Sequence, residues 1–168
     1  MSTAENATES QAWETYEREI IEIFVGMARV LGQPKSLGEI YGKLYASDRP
    51  LSLDDLVSSL KISKGSASQG LRQLRSFGAI RTVYVAGDRR DHFAAVQELK
   101  KLAGGFLRER MEPHLTSGTD RLHQLREIMN NLDPTHHQNA KQQIDKLENW
   151  HRRASQILPW VTKFLGDK

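Results

Sequence analysis

From Trp13 onward the apolar side chains Trp13, Tyr16, Ile20, Phe24, Met27 and Leu31 fall in steps of three and four, with mostly polar residues between them. That spacing predicts one helix with a single apolar stripe, stopped by Gly32 and Pro34. Ser36 followed by Glu39 has capping-box spacing, so a second helix is expected to start there and to turn Leu37, Ile40 and Leu44 inward, with Tyr41 or Tyr45 beside them. Asp48, Arg49 and Pro50 close it. Ser52 can cap a short third helix whose Leu53, Leu56, Val57 and Leu60 share one face, and Asp54 and Asp55 suit the positive end of its dipole. Ser63 caps a fourth helix that runs to about Phe77, with Gly78 as its stop.

Beyond Gly78 the pattern changes. Residues 80–85 are rich in β-branched and aromatic side chains, Gly87 and Asp88 offer turn chemistry, and 91–94 can return as a second strand. This is a β-hairpin with a basic tip. From Val96 the chain reads as helical again, with Gly104, Gly105 and Pro113 expected to kink or break it, and with Leu122, Leu125, Ile128, Met129 and Leu132 as an apolar face. Asp133 and Pro134 have the chemistry of a cap and first turn for a last helix. Along it Ile144, Leu147, His151, Ala154, Leu158, Val161 and Leu165 alternate steps of three and four, a heptad-like seam crossed by Pro159 that requires a partner helix.

Composition narrows the function classes. With 168 residues the chain can build one sizeable core with helical arms, and no apolar run approaches the roughly 18 residues of a membrane span. The start carries Glu5 and Glu9 where a secretory signal would be basic, so the cytoplasm is the expected location. The absence of cysteine removes disulfides, thiolate catalysis and Cys-rich zinc sites. Net charge is only +3, but its distribution is uneven. Residues 1–35 hold six acids against three bases, whereas between Asp55 and Asp88 there is no carboxylate at all. About four would fall there at random. The same stretch contains Lys61, Lys64, Arg72, Arg75 and Arg81, followed by Arg89 and Arg90, so it would attract a polyanion.

The fourth helix has two faces. Ala67, Leu71, Leu74 and Phe77 lie on one side, and Ser66, Gln69, Arg72, Gln73 and Ser76 on the other. Gln and Arg side chains can make bidentate hydrogen bonds to adenine and guanine edges, while Ser63, Lys64, Ser66 and the amides at the helix start can hold phosphate. Gly65, Ser66, Ala67 and Ser68 are small enough to allow close backbone approach. Two short helices joined by a tight turn, then a basic hairpin, form the outline of a winged helix-turn-helix, with the second helix in the major groove of double-stranded DNA. The hairpin tip could place an arginine in the minor groove, held by a bidentate pair with Asp88 or Asp91. The candidate DNA contacts are therefore Ser63, Lys64, Gly65, Ser66, Ser68, Gln69, Arg72, Gln73, Arg75, Arg81, Arg89 and Arg90. The expected fold class is mainly α with a small β-hairpin wing, flanked by terminal dimerisation helices. Its divisions are a disordered 1–12, an N-terminal helix 13–35 contributing to a dimer interface, the winged helix-turn-helix 36–95, and a C-terminal dimerisation region 96–168.

The runs 40–45 (IYGKLY), 50–56 (PLSLDDL), 62–68 (ISKGSAS), 71–74 (LRQL) and 87–91 (GDRRD) resemble the GbsR-type branch of the MarR-like regulators, over about residues 13–112. The resemblance implies a homodimeric winged-helix repressor or activator whose interface uses helices from both ends of the chain. It also implies a possible small-molecule effector, since some members of that branch respond to choline or glycine betaine. Arg75 stands where an acid is common in the branch and His92 where an aromatic is common, which bears on the operator more than on the fold.

Other classes fare less well. A quaternary ammonium effector needs an aromatic cage, for which Trp13, Tyr16, Tyr41, Tyr45, Trp150 and Trp160 are the available rings; aromatic residues at helical spacing more often serve the core. Of the six histidines, His136 and His137 are adjacent and point to different sides of a helix, and the others are irregularly spaced, so no metal site and no cofactor is expected. No nucleophile elbow, P-loop, dinucleotide fingerprint or paired zinc-binding histidines are found, and an enzyme is not expected. The alternative is a helical adaptor with a winged-helix fold that binds protein, for which an acid-free basic face would serve no purpose.

Overall fold

The computed structural model describes the backbone of residues 3–166 and the side chains of 9–165. Helix α1 (Thr3–Val30) begins ten residues ahead of Trp13, and of the stretch 1–12 expected to be disordered Met1 and Ser2 lie outside the described residues. Gly32 takes φ +63 and turns the chain into α2 (Lys35–Ala46). The expected capping box at Ser36 does not form. Pro34 occupies the cap position, where it offers no side-chain acceptor, and Glu39 pairs with Lys35 at 2.7 Å.

Helices α1 and α2 touch backbone to backbone. A Cβ at Gly38 would stand 2.6 Å from the Phe24 carbonyl oxygen and 2.7 Å from Val25 Cα, and one at Gly42 would stand 2.8 Å from Ile21 Cα. Around this contact Phe24, Val25, Ala28, Leu37, Ile40, Tyr41 and Leu44 are buried. Burial of this kind stabilises by about 1.5–3 kcal/mol per large side chain before the entropy of ordering is subtracted.

The next helices form where their caps predict. Ser52 caps α3 (Leu53–Leu60): its hydroxyl accepts from Asp55 N at 3.2 Å, and its own N donates to Asp55 Oδ2 at 2.9 Å. Lys61, at φ +53, ends α3, and Ser63 caps α4 (Lys64–Ser76) by accepting from Ser66 N at 3.1 Å. Gly78 follows at φ +67. The strands β1 (Leu51–Ser52), β2 (Ile80–Val83) and β3 (His92–Ala95) form an antiparallel sheet in the order β1-β3-β2, with Leu51 opposite Phe93 and Thr82 opposite Phe93 on the other side. The hairpin expected from sequence is present. Strand β1 was not foreseen, because two residues are too few to show an alternation.

Two compact units divide the chain, residues 1–102 and 103–168, so α1 belongs with the winged helix-turn-helix. The remaining helices are α5 (Leu99–Asn130) and α6 (Pro134–Gly166). Contrary to expectation α5 runs unbroken through Gly104, Gly105 and Pro113, and α6 likewise continues through Pro159. One proline removes a single hydrogen bond from a helix of this length, and the flanking turns carry it. Asp133 caps α6 as expected, accepting from Thr135 N at 2.8 Å and His136 N at 3.3 Å.

Within the second unit, His151 Nε2 donates to the Leu115 carbonyl at 2.7 Å, and a Cβ at Gly118 would stand 2.7 Å from that nitrogen. Arg126 binds Glu148 and Asp145, and Met129 and Ile144 are buried. The partner of the α6 seam is thus, at His151, α5 of the same chain. A second stripe of Trp150, Ile157, Trp160 and Phe164 is left exposed.

Candidate nucleic-acid interface

The apolar positions of α4 dictate which side it shows to solvent. Ala67, Gly70, Leu71 and Leu74 are buried, with Phe77 beyond them, so Lys64, Gly65, Gln69, Arg72 and Arg75 point outward. Gly70 lets α4 seat on α2, since any Cβ there would meet Ile40. Of the small residues at 65–68, Gly65 is exposed, Ser66 and Ser68 are half-buried, and Ala67 is fully buried.

The expected contact residues divide into free and committed ones. Gln69, Arg72, Arg81 and Arg89 are exposed and have no side-chain partner among the described residues. Ser63 and Ser66 share a hydroxyl hydrogen bond of 2.9 Å at the helix start, and Ser68 is half-buried. Gln73 is held by the loop after α1, its amide donating to Gln33 Oε1 at 2.7 Å. Arg75 crosses to the wing, donating to Thr82 Oγ1 at 2.8 Å with its guanidinium 5.5 Å from the centre of the Phe93 ring. Its stem and charge brace the sheet against α4, which explains why a base serves at that position.

At the wing tip, Gly87 takes φ +85 and Asp88 grips Arg90. Arg90 Nε donates to both carboxylate oxygens at 3.0 Å, and these side-chain hydrogen bonds hold the Asp88 carboxyl well below the usual carboxylate range. The bidentate pair expected from sequence therefore uses Asp88. Arg90 also turns toward the start of α3, 3.4 Å from Ser52 Oγ and 4.0 Å from Asp54. Asp54 lies 3.4 Å from Lys64 Nζ as well. An acid-free run in sequence is consequently not acid-free in space: Asp54 and Asp91 border a cleft of ≈ 420 Å³ whose walls include Lys64, Arg72, Arg75 and Arg90. Sequence reading treated Asp54 only as a partner of the helix dipole, and no local pattern could have shown which bases it would meet.

The effector residues do not gather in one place within the first unit. Trp13 and Tyr16 form a half-exposed ring pair 5.4 Å apart. Tyr41 and Tyr45 pack on Phe24, about 12 Å farther along α1 at 1.5 Å per residue. Tyr41 is a core residue: it is buried, its hydroxyl donates to the Val96 carbonyl at 2.7 Å, and desolvation pushes its phenol up to about 12. Trp150 belongs to the second unit and is exposed. Among the described residues no group of three or more His, Asp or Glu could hold a metal ion, and no helix is long and apolar enough to cross a membrane.

Comparison with known proteins agrees with this fold. No protein-family model matches the chain. The HTH-type transcriptional repressor GbsR of Bacillus subtilis (strain 168) is 26% identical over 93 residues, which is 55% of this chain and 51% of that protein. The chain thus matches about half the length of that curated relative. The crystal structure of a transcriptional regulator superposes with a TM-score of 0.53 at 20% identity, covering 88% of this chain and 98% of that one. A variant of S. aureus MepR bound to an oligodeoxyribonucleotide is more distant, with a TM-score of 0.41 at 21% identity over 84% and 96% of the two chains. The chain is similar in sequence to a GbsR-type regulator and has a winged helix-turn-helix fold.

Proposed function

We propose that this protein is a sequence-specific transcription regulator that binds double-stranded DNA as a homodimer, with α4 in the major groove and the wing over the adjacent minor groove. The observation that carries the proposal is the state of Gln69 and Arg72, which stand exposed on the outer face of α4 without partners among the described residues. A structural role would have tied them down, as it does Gln73 and Arg75. A glutamine can read adenine and an arginine guanine through two hydrogen bonds each. Ser63, Lys64, Gly65, Ser66 and Ser68 lie at the start of α4, where backbone amides and the helix dipole favour phosphate. Arg81 and Arg89 supply further positive charge to the backbone and the minor groove.

Exposed apolar side chains supply the dimerisation surface: Ile23, Met27 and Val30 on α1, and Trp150, Ile157, Trp160 and Phe164 on α6. A small effector such as choline or glycine betaine would find its aromatic face in Trp13 and Tyr16, which line a shallow hollow together with Glu9.

Affinity measured against a selected duplex and against random DNA tests the base-reading role. Arg72→Ala should lower affinity for the selected duplex by about 1–3 kcal/mol and relax one base position, whereas Lys64→Ala should weaken all sequences alike. Equal losses on both DNAs for Arg72→Ala would remove its base-reading role. Absence of any binding at low ionic strength would favour the protein-binding adaptor.

A further inference from the structure

The wing contains a buried imidazole that base reading does not use. His92 in β3 is 4% exposed and lies opposite Ser52 on one side and Val83 on the other. Its Nδ1 is 2.9 Å from the Arg90 carbonyl oxygen and its Nε2 is 3.4 Å from Asp88 Oδ2. Both neighbours are acceptors. The carbonyl has no proton to give, and the hydrogen bonds from Arg90 keep Asp88 ionised. The Nδ1–H donates to the Arg90 carbonyl, whereas Nε2 forms an ion pair with Asp88 only when the ring carries its second proton.

The wing and the elements packed against it carry the charges around the ring. Asp88 faces the ring directly, and Arg90, the opposing cation, is engaged with the same carboxylate. From α3, Asp55 is hydrogen-bonded to Ser52, the residue opposite His92, and Asp54 lies 4.0 Å from Arg90. The cross-strand neighbour on β2, Val83, is uncharged. On α2, Lys35 pairs with Glu39, Lys43 with Glu17 of α1, and Tyr41 donates to Val96, so each of these groups has a partner of its own. Arg75 of α4 lies over Phe93, the next residue along β3, whose side chain points to the opposite face of the strand.

We propose that His92 is a positioning residue for DNA binding: as an imidazolium it clamps Asp88, and through Asp88 the Arg90 guanidinium and the wing tip 87–91, so affinity for DNA falls as the ring loses its proton. The inference rests on the DNA-binding function proposed above, and the clamp itself is testable without DNA. A duplex recovered by selection from random-sequence DNA is titrated between about pH 8 and about pH 6, the interval in which imidazoles change charge. The unaltered protein should tighten by about three- to tenfold on acidification, the range produced when DNA binding raises a group's proton affinity by up to about one pH unit. His92→Phe should give a flat profile, and His92→Gln serves the same purpose if the larger ring disturbs the wing. A pH profile as steep in both variants as in the parent would assign the effect to His114, His123, His136, His137 and His151, all in α5 and α6, and overturn the proposal. The free protein gives the second readout: Asp88→Asn should move the His92 ring titration, followed by NMR, to lower pH. A midpoint that stays in place removes the clamp whatever DNA does. If selection recovers no duplex, DNA binding fails while the NMR titration still judges the clamp.

Discussion

Gly70 lies so close to Ile40 that a Cβ at position 70 would stand 2.5 Å from the Ile40 Cδ1. Through this contact α4 seats on α2, and the seating leaves Gln69 and Arg72 outward. Ile40 is fully buried and β-branched, so it has little room to swing aside. Gly70→Ala gains about 1 kcal/mol of helix propensity and loses about 1–3 kcal/mol to overpacking. A net destabilisation of about 1 kcal/mol is expected in urea unfolding. Ile40→Val removes the offending methyl, so the double variant should be more stable than the two single losses added together. Simple additivity would mean that the contact is slack.

Asp54 lies within ion-pair distance of Lys64 and Arg90, so in the proposed DNA complex it would compete with phosphate for both. All three side chains are more than half exposed, so the ion pairs contribute little to stability. Asp54→Asn should leave the unfolding midpoint within about 0.5 kcal/mol of the parent and strengthen binding to random DNA at low salt by about two- to tenfold. An unchanged or weaker affinity would show that Asp54 orients the bases more than it occupies them.

Asp55 gives the acid limb of stability a defined sign. Hydrogen bonds from the Ser52 backbone and hydroxyl lower its carboxyl below an ordinary 3.8. A carboxyl lowered in the folded state stabilises fully above its unfolded value, and that contribution disappears as pH falls through the folded value. Asp55→Asn should therefore lower stability at neutral pH and lose less than the parent on acidification below about pH 4. Ser52→Ala, which removes the cap hydroxyl, should cost about 1 kcal/mol. Urea midpoints at neutral and acid pH measure both; parallel acid limbs would assign the acid sensitivity elsewhere.

Self-association is expected to depend on the exposed stripe of α6. Ile157→Glu combined with Phe164→Glu places charge on two of its exposed apolar positions while keeping good helix formers. Sedimentation velocity should show dissociation with unchanged helicity. Deleting 140–168 should also weaken assembly, and a tight dimer in either case would move the interface to α1.

Cap chemistry was legible where the signal was local and uncontested. Ser52, Ser63, Asp133 and the glycine stop at Gly78 act where sequence placed them, because a cap is decided by its own hydroxyl or carboxylate and the amides within three residues. Ser36 and Glu39 had the same spacing and failed, because Pro34 took the cap position and Lys35 took the carboxylate. Pro113 and Pro159 did not end their helices, since the helical neighbours on both sides outweigh one missing donor.

Periodicity alone determined the order of helices, the hairpin, and the two faces of α4, because 3.6- and 2-residue repeats depend only on backbone geometry and on which side chains avoid water. Tertiary structure decided which polar groups on the outer face stay free. Gln73 found Gln33 forty residues away, Arg75 found Thr82 across the wing, and Arg90 found both Asp88 beside it and Asp54 on another helix. A side chain's partners lie wherever the fold brings an acceptor within about 3 Å, and that distance is set by packing contacts such as Gly70 against Ile40, which no run of neighbouring residues encodes.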